Sequence, residues 1–470
     1  MSVDLNVDLV VLGAGPGGYT AAFRAADLGL KTAIVEKHSV LGGVCLNVGC
    51  VPSKALLHAT SLVESAKRFA KAGIFSDAPS CNLEGLQTWK SQIVRKLNRG
   101  LEGLAKRRKI VVLTGQGKLV SQNELVVSNS DGATHIRFEK AIIATGSHAA
   151  SIPFLPVDEC IWNSTQALSL PFVPKRLLVI GGGVIGLEMA TVYERLGSEV
   201  TIVEMADSLL PGVDKEAVRP LFLALKKTCS IFTESMVQNV SRRGDHLAVS
   251  LEGPKCPSEI KTDAILVSIG RKPNVDGIGL ESAGISLGDH GQIIVDEQQR
   301  TSQRHIFAIG DVTPGPMLAH RASAEGKIAA EVAAGMDTRN RISCIPQVAY
   351  TSPEVASVGM TEMSAKEAGI AVGIGKFPFA ASARAMTVDE PVGFVKLVVN
   401  TNTSAVIGAE MVGPHVGELI AEIALAIQNG LTVDQLTRTV HPHPSLSESI
   451  LMSAEAFEGT ITDLYIPKAR

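Results

Sequence analysis

A chain of 470 residues with 45% hydrophobic and 19% charged residues has room for about three domains and is too apolar to be disordered. Its 44 basic and 47 acidic side chains leave a net charge of −3, which argues against nucleic-acid binding. Seven cysteines over this length make no disulfide scaffold, while 44 glycines with only 4% aromatics suit tight strand-to-helix turns that approach ligands closely.

The chain starts Met1-Ser2-Val3-Asp4-Leu5-Asn6 and reaches an apolar strand by Leu9, with neither a signal-peptide pattern nor an Arg-rich transit pattern. The expectation is a cytoplasmic protein, or one whose presequence was removed before this numbering began. The most apolar long stretch, Leu177 to Val192, carries Glu188 and four glycines and is too short to span a bilayer, so no membrane segment is expected.

The first strand runs into Val10-Val11-Leu12-Gly13-Ala14-Gly15-Pro16-Gly17-Gly18, and the pattern returns at Leu178-Val179-Ile180-Gly181-Gly182-Gly183-Val184-Ile185-Gly186. Each copy holds G-x-G-x-x-G after an apolar strand, then a helix to Leu28-Gly29 or Leu196-Gly197, then a strand ending at Glu36 or Glu204. Gly13/Gly181, Gly15/Gly183, Gly18/Gly186, Gly29/Gly197 and Glu36/Glu204 all lie 168 residues apart, a coincidence that independent turns have no reason to show. In each copy the first glycine permits the tight turn, the second lets a pyrophosphate approach the backbone, and the third lets helix and strand pack closely. Glu36 and Glu204, each 23 residues past the first glycine, are placed to accept from ribose hydroxyls. Glu204 would repel a 2′-phosphate, so the second site favours NAD over NADP. Two such sites on one chain imply electron transfer between two carriers, a tightly held flavin and an exchangeable nicotinamide.

Between the copies stands Gly42-Gly43-Val44-Cys45-Leu46-Asn47-Val48-Gly49-Cys50-Val51-Pro52-Ser53-Lys54, leading into the helix-forming Ala55-Leu56-Leu57-His58-Ala59. A structural zinc site would ask for a second ligand pair, and Cys81 stands alone downstream. Two inert buried thiols are another reading, and a redox-active disulfide beside the flavin is the third; in a cytoplasmic chain a persistent disulfide is more often catalytic than structural. Near the C-terminus, His441-Pro442-His443-Pro444-Ser445-Leu446-Ser447-Glu448-Ser449 admits two plain readings, a proline-broken chain or a histidine pair ligating a metal.

The cysteine segment resembles the active-site signature of the pyridine nucleotide-disulphide oxidoreductases, and within them the dihydrolipoamide dehydrogenases of 2-oxo acid dehydrogenase complexes. The likeness covers essentially the whole chain. Ala144-Thr145-Gly146 resembles the junction into a nicotinamide domain, Ser268-Ile269-Gly270-Arg271-Lys272-Pro273-Asn274 the return crossing, and Phe307-Ala308-Ile309-Gly310-Asp311 the second flavin motif, whose Asp311 meets the ribityl chain. Met317-Leu318-Ala319-His320 then opens a helix near the isoalloxazine.

The resemblance implies an α/β fold with two Rossmann-like dinucleotide-binding domains and a C-terminal α+β dimerisation domain. Its expected divisions are 1–143 and 271–344 for FAD, 144–270 for NAD, and 345–470 for dimerisation. Strands are expected to alternate with helices through about residue 143. Beyond Ile345 come strands such as Gly393 to Val399 and Val406 to Val412, and an amphipathic helix from Gly417 to Gln428.

The resemblance also implies the chemistry and metal-free catalysis. A dihydrolipoyl dithiol loses a proton to His443, which Glu448 holds, and the thiolate attacks Cys45. Cys50, nearer the flavin, then passes electrons to FAD and so to NAD, with Lys54 stabilising negative charge and Glu188 pairing with Lys54. Gly43, Lys37, Gly117, Ile185, Gly270 and Ala319 join the residues already named as cofactor contacts. His443 is implied to reach the disulfide of a second subunit, making a homodimer catalytic. The implied partners are lipoyl domains of 2-oxo acid dehydrogenase complexes and the glycine cleavage H protein. Pro442 and Ser445 replace the family's usual Ala and Thr, and His148 stands where Arg or Lys is frequent. Glutathione and mercuric reductases are the nearest rivals. Glu204 argues against the first, and the C-terminus Tyr465-Ile466-Pro467-Lys468-Ala469-Arg470 lacks the cysteine pair of the second. A docking subunit without activity is the rival from another class, and the intact cysteine and histidine motifs argue against it.

Overall fold

The computed structural model describes residues 4–77 and 79–465. The termini, including Ile466 to Arg470 of the C-terminal reading, lie outside the described residues.

The apolar stretches Leu9 to Leu12, Ala33 to Val35 and Ala141 to Ile143 form the centre of the first sheet. Thr32–Glu36 is buried along its whole length and pairs in parallel with Asp4–Leu12, which pairs in parallel with Gly132–Ile143. Where parallel strands are covered on both faces the sequence turns continuously apolar, as it does from Leu9 to Leu12 and from Ala141 to Ile143. Val111–Thr114 extends one edge. The other edge departs from the expected alternation. Gln116–Leu119, Glu124–Asn129 and Gly132–Ile143 form an antiparallel meander. Three helices, Gly43–Val48, Cys50–Lys71 and Leu83–Arg107, follow one another with no strand between them, and Val111–Thr114 then leads into the meander. Far along the chain, Ile306–Ala308 returns to pair with Ala141 to Ile143.

The second sheet is parallel throughout, ordered Cys229–Phe232, Glu199–Val203, Arg176–Ile180, Ala264–Val267 and Ile161–Trp162. A three-stranded antiparallel sheet, Met236–Arg243, His246–Glu252 and Glu259–Thr262, lies against it through Val237, Val240, Leu247 and Val249. The two segments that cross between the glycine-loop units pair with each other, Ser147–Ala149 with Arg271–Pro273.

From Gln347 onward the chain makes a five-stranded antiparallel sheet ordered Gln347–Ala349, Glu354–Gly359, Val406–Gly413, Phe394–Asn400 and Val372–Pro378. The observed strands begin and end within a residue of expectation, and the helix is Val416–Gln428. Val416, Ile420, Ile423 and Ala426 of that helix share a core with Ile450 and Ala454 of Glu448–Glu458.

One apolar cluster joins all three units, taking Leu56 and Leu86 from the first, Leu177, Val179 and Tyr193 from the second, and Phe394 and Val412 from the third. A charged cluster ties the second to the third. Buried Lys396 meets Asp214 at 2.9 Å, Glu216 at 3.1 Å, Glu410 at 3.3 Å and Glu362 at 3.5 Å. Burial and the facing Asp214 push the Glu410 carboxyl up to about 8, while Asp214 is held low. Two carboxylates that share one proton behave in this way.

Candidate active site

The two glycine loops repeat each other bond for bond. Gly13 N–H donates to Val35 at 2.8 Å and Gly181 N–H to Val203 at 2.9 Å. Glu36 accepts from Ala14 N–H at 2.9 Å and His38 N–H at 3.1 Å; Glu204 accepts from Gly182 N–H at 2.6 Å and Ala206 N–H at 2.7 Å. Glu204 stands one residue past its strand, which ends at Val203 rather than at the glutamate.

Glycine is required at the turns. Gly13 has φ +102° and Gly181 φ +103°, and a Cβ there would lie 2.3 Å from the Ala144 carbonyl oxygen or 2.5 Å from that of Ser268. At Gly18 and Gly186 a Cβ would strike the carbonyl of the first glycine, at 1.9 and 2.1 Å. Gly15 and Gly183, by contrast, face open space at the N-cap positions of Pro16–Asp27 and Val184–Arg195. A free approach to unpaired helix N–H groups suits a pyrophosphate.

A cavity of about 360 Å³ opens beside Glu36, lined by His38, Leu41, Ala105, Ile110 and Thr114 among others. Acidic at one edge and apolar across its floor, it fits an adenosine. These residues therefore fit FAD at the first loop, and the second loop with Glu204 fits NAD. The remaining sequence-derived cofactor positions are spread along this path. Gly43 packs against Gly15, where a Cβ would come within 2.6 Å of its Cα, and Lys37 is exposed just beyond Glu36. Gly117 faces Leu12 and Val35 in the first sheet, and half-buried Ile185 lies in the first turn of the second loop's helix. Thr145 and Asn274 bond reciprocally across the two crossings at 2.7 and 2.9 Å, beside Gly146 and Gly270, which have φ +68° and +122°. Asp311 lies in a single 3₁₀ turn and accepts from the Ser147 hydroxyl, itself held by Arg271 at 2.7 Å; Ala319 opens the helix Ala319–Ala333. The Ser147–Arg271 tie was not legible in the sequence, although Arg271 lies in the return crossing and Ser147 directly follows Ala144-Thr145-Gly146.

Cys45 lies within Gly43–Val48 and Cys50 is the first residue of Cys50–Lys71, so the glycine break at Gly49 folds the two sulfurs toward each other. The Cys45 thiol donates to Cys50 and is pushed up by doing so. Cys50 is lowered to about 7, by that hydrogen bond first and then by the Lys54 ammonium, against the cost of burial. The helix N-terminus favours the same charge. Of the two sulfurs, Cys50 is the one drawn toward the thiolate form.

Lys54 follows Cys50 by one helical turn. Its ammonium meets both oxygens of buried Glu188, at 2.7 and 2.8 Å, and lies 4.6 Å over the Tyr350 ring. Glu188 also accepts from the Tyr350 backbone N–H at 3.1 Å. The sequence reading did not find Tyr350, which lies in no glycine, cysteine or histidine motif.

At the far end, the Nδ1 of exposed His443 is 2.8 Å from Glu448, whose other oxygen accepts from Ser445 N–H at 2.7 Å. His441 instead turns inward, held by Thr439 at 2.8 Å and Glu422 at 3.0 Å, so the two histidines do not face one ligand. Among the described residues no group of three or more His, Cys, Asp or Glu is arranged to hold a metal ion.

A family model described as pyridine nucleotide-disulphide oxidoreductase matches residues 7–326, and one for that family's dimerisation domain matches 345–454. The chain belongs to this family. Among characterised disulphide oxidoreductases, the dihydrolipoyl dehydrogenase of Vibrio cholerae is 46% identical over 100% of this chain and 99% of its own. That of Haemophilus influenzae is 47% identical at the same coverage, and that of Geobacillus stearothermophilus is 44% identical over 97% of each. Two solved structures share the fold. LpdA of Mycobacterium tuberculosis has a TM-score of 0.88 at 29% identity, over 96% of this chain and 99% of that one. The HOCl-induced flavoprotein disulfide reductase RclA of Escherichia coli, as its Cu(II) complex, has 0.86 at 27%, with the same coverage. The α/β fold with a C-terminal dimerisation domain is thus the family's own.

Proposed function

We propose that this chain is an FAD- and NAD-dependent dihydrolipoyl dehydrogenase, acting as a homodimer on lipoyl groups. The observation that carries the reading is the asymmetry of the sulfur pair between two duplicated dinucleotide loops, in a chain whose full-length relatives bear that activity in their names.

The thiolate of a dihydrolipoyl group attacks Sγ of Cys45 in the Cys45–Cys50 disulfide, forming one S–S bond and breaking another. Cys50 leaves, the better leaving group because its thiolate is the more stable. The second substrate sulfur closes the lipoyl ring and expels Cys45, which takes up a proton. His443, oriented by Glu448, removes the substrate proton and returns it to the departing sulfur. His443 reaches the sulfur pair of the second protomer, which makes the dimer the catalytic unit. Lys54, held by Glu188, keeps positive charge beside Cys50. When bound, the flavin would supply a two-electron carrier between this sulfur pair and the nicotinamide.

We place the nucleotide-binding and dimerisation units at 1–143 with 271–344, 144–270, and 345–470. No helix among the described residues is long and apolar enough to cross a membrane. The protein works in the cytoplasm with the lipoyl domains of 2-oxo acid dehydrogenase complexes, and the glycine cleavage H protein presents the same lipoyl arm. The purified holoprotein, assayed by NADH absorbance, will oxidise dihydrolipoamide with NAD⁺ and will not reduce glutathione disulfide with NADPH. The reverse preference would overturn the reading.

A further inference from the structure

We propose that Tyr350 is a positioning residue, whose ring, wedged between the N-terminus of the helix Val416–Gln428 and the Lys54 ammonium, keeps that ammonium beside Cys50. The inference rests on the reading of Cys50 as the thiolate partner of a flavin.

The ring is held from behind. A Cβ at Gly417 would lie 3.0 Å from Tyr350 Cε1, 3.0 Å from Val348 Cγ1 and 3.1 Å from Glu354 Oε2, so glycine there lets the ring pack closely against the helix. Gly417 N–H is itself fixed, donating to Glu354 at 2.9 Å. In front, Lys54 Nζ stands 4.6 Å over the ring face, where the quadrupole is negative. The backbone takes part as well, since Tyr350 N–H bonds the Glu188 oxygen nearest Lys54. A segment of the dimerisation unit thus sets both partners of a pair that belongs to the other two units.

Glu188 holds the ammonium from one side only, through both carboxylate oxygens at 2.7 and 2.8 Å, and without the ring the ammonium can turn about that carboxylate away from Cys50. The charged and titratable groups around this point are Glu188, Glu354 and Glu418 near Tyr350, and Cys45, Arg271 and Tyr19 near Cys50. Burial first, and then the three glutamates and Cys50, push the Tyr350 phenol up, so the ring stays neutral while Cys50 titrates.

The test uses the holoenzyme, reduced anaerobically by one equivalent of dihydrolipoamide, with the long-wavelength thiolate–flavin absorbance followed from acid to mildly alkaline pH. Wild type and Tyr350→Phe, which keeps the ring, should show the same midpoint. Tyr350→Leu should raise it by about one unit, the low end of what losing a nearby opposite charge does. Gly417→Ala, whose added methyl presses on the ring by a few tenths of an ångström, should move it the same way and by less. An unchanged midpoint in Tyr350→Leu, or in Gly417→Ala if the leucine variant does not fold, overturns the proposal. Absence of the band from wild type overturns the flavin reading instead.

Discussion

Replacing Glu448 by glutamine separates orientation from charge at the base. One oxygen of Glu448 takes the proton of His443 Nδ1 and the other accepts from Ser445 N–H, at 2.8 and 2.7 Å, which leaves His443 Nε2 free to accept from substrate. Glutamine has one acceptor and one donor. If its oxygen keeps Ser445 N–H, its amide N–H₂ points at Nδ1, which must then accept, and the ring proton moves to Nε2. That is the wrong tautomer for a base. Restoring the right one sets an N–H against an N–H and costs about 1–3 kcal/mol, or roughly 5- to 150-fold in rate. Glu448 also opens the helix Glu448–Glu458, and loss of its charge there removes only about 0.3–1 kcal/mol of stability. The assay is dihydrolipoamide-dependent NAD⁺ reduction over a pH range, with a thermal melt as the control for folding. The rate should fall by that factor near neutrality and recover as alkaline pH ionises the substrate thiol unaided. A rate within twofold of wild type at neutral pH, or a deficit that persists undiminished in strong alkali, would refute the reasoning.

Four further outcomes are expected. Glu204→Arg should shift preference toward NADP⁺, seen in the ratio of kcat/KM for the two nucleotides; an unchanged ratio means the ribose is read elsewhere. Gly13→Ala puts a Cβ 2.3 Å from the Ala144 carbonyl at φ +102° and should abolish flavin retention, measured by the visible spectrum of the purified protein. Lys396→Ala leaves the half-buried Asp214 carboxylate without its ammonium partner beside a protonated Glu410 and should cost about 1–3 kcal/mol in denaturant unfolding at neutral pH. Because the folded state holds the Glu410 proton up to about 8, it binds more protons than the unfolded chain above the ordinary carboxyl range. Stability should therefore fall as pH rises from about 4.5 to about 8, and Glu410→Gln should flatten that slope.

The sequence exposed what repeats and what is short-range. An offset of 168 residues located both glycine loops, and the structure repeats even the backbone bonds to Glu36 and Glu204. Cys50 and Lys54 are one helical turn apart, so their proximity could be read directly from spacing. The meander Gln116 to Ile143 was hidden because its alternating burial follows three helices that suggested a continuing α/β alternation. The pairing of Ser147–Ala149 with Arg271–Pro273 joins segments more than 120 residues apart, and nothing local in either predicts the other. Tyr350 was invisible for the same reason, since it acts through Lys54 and Glu188, brought together only by the packing of three units.

The central claim is that electrons leave the substrate through Cys45 and Cys50 before reaching the flavin. Anaerobic titration of the holoenzyme with dihydrolipoamide, followed by visible absorption and paired with the Cys45→Ser variant, tests it most directly. One equivalent should raise a long-wavelength thiolate band in wild type. The variant should show such a band from its unpaired Cys50 without any dithiol, retain its flavin, and turn over no dihydrolipoamide. Bleaching of the flavin by dihydrolipoamide at an equal rate in both proteins, with no band in either, would contradict it.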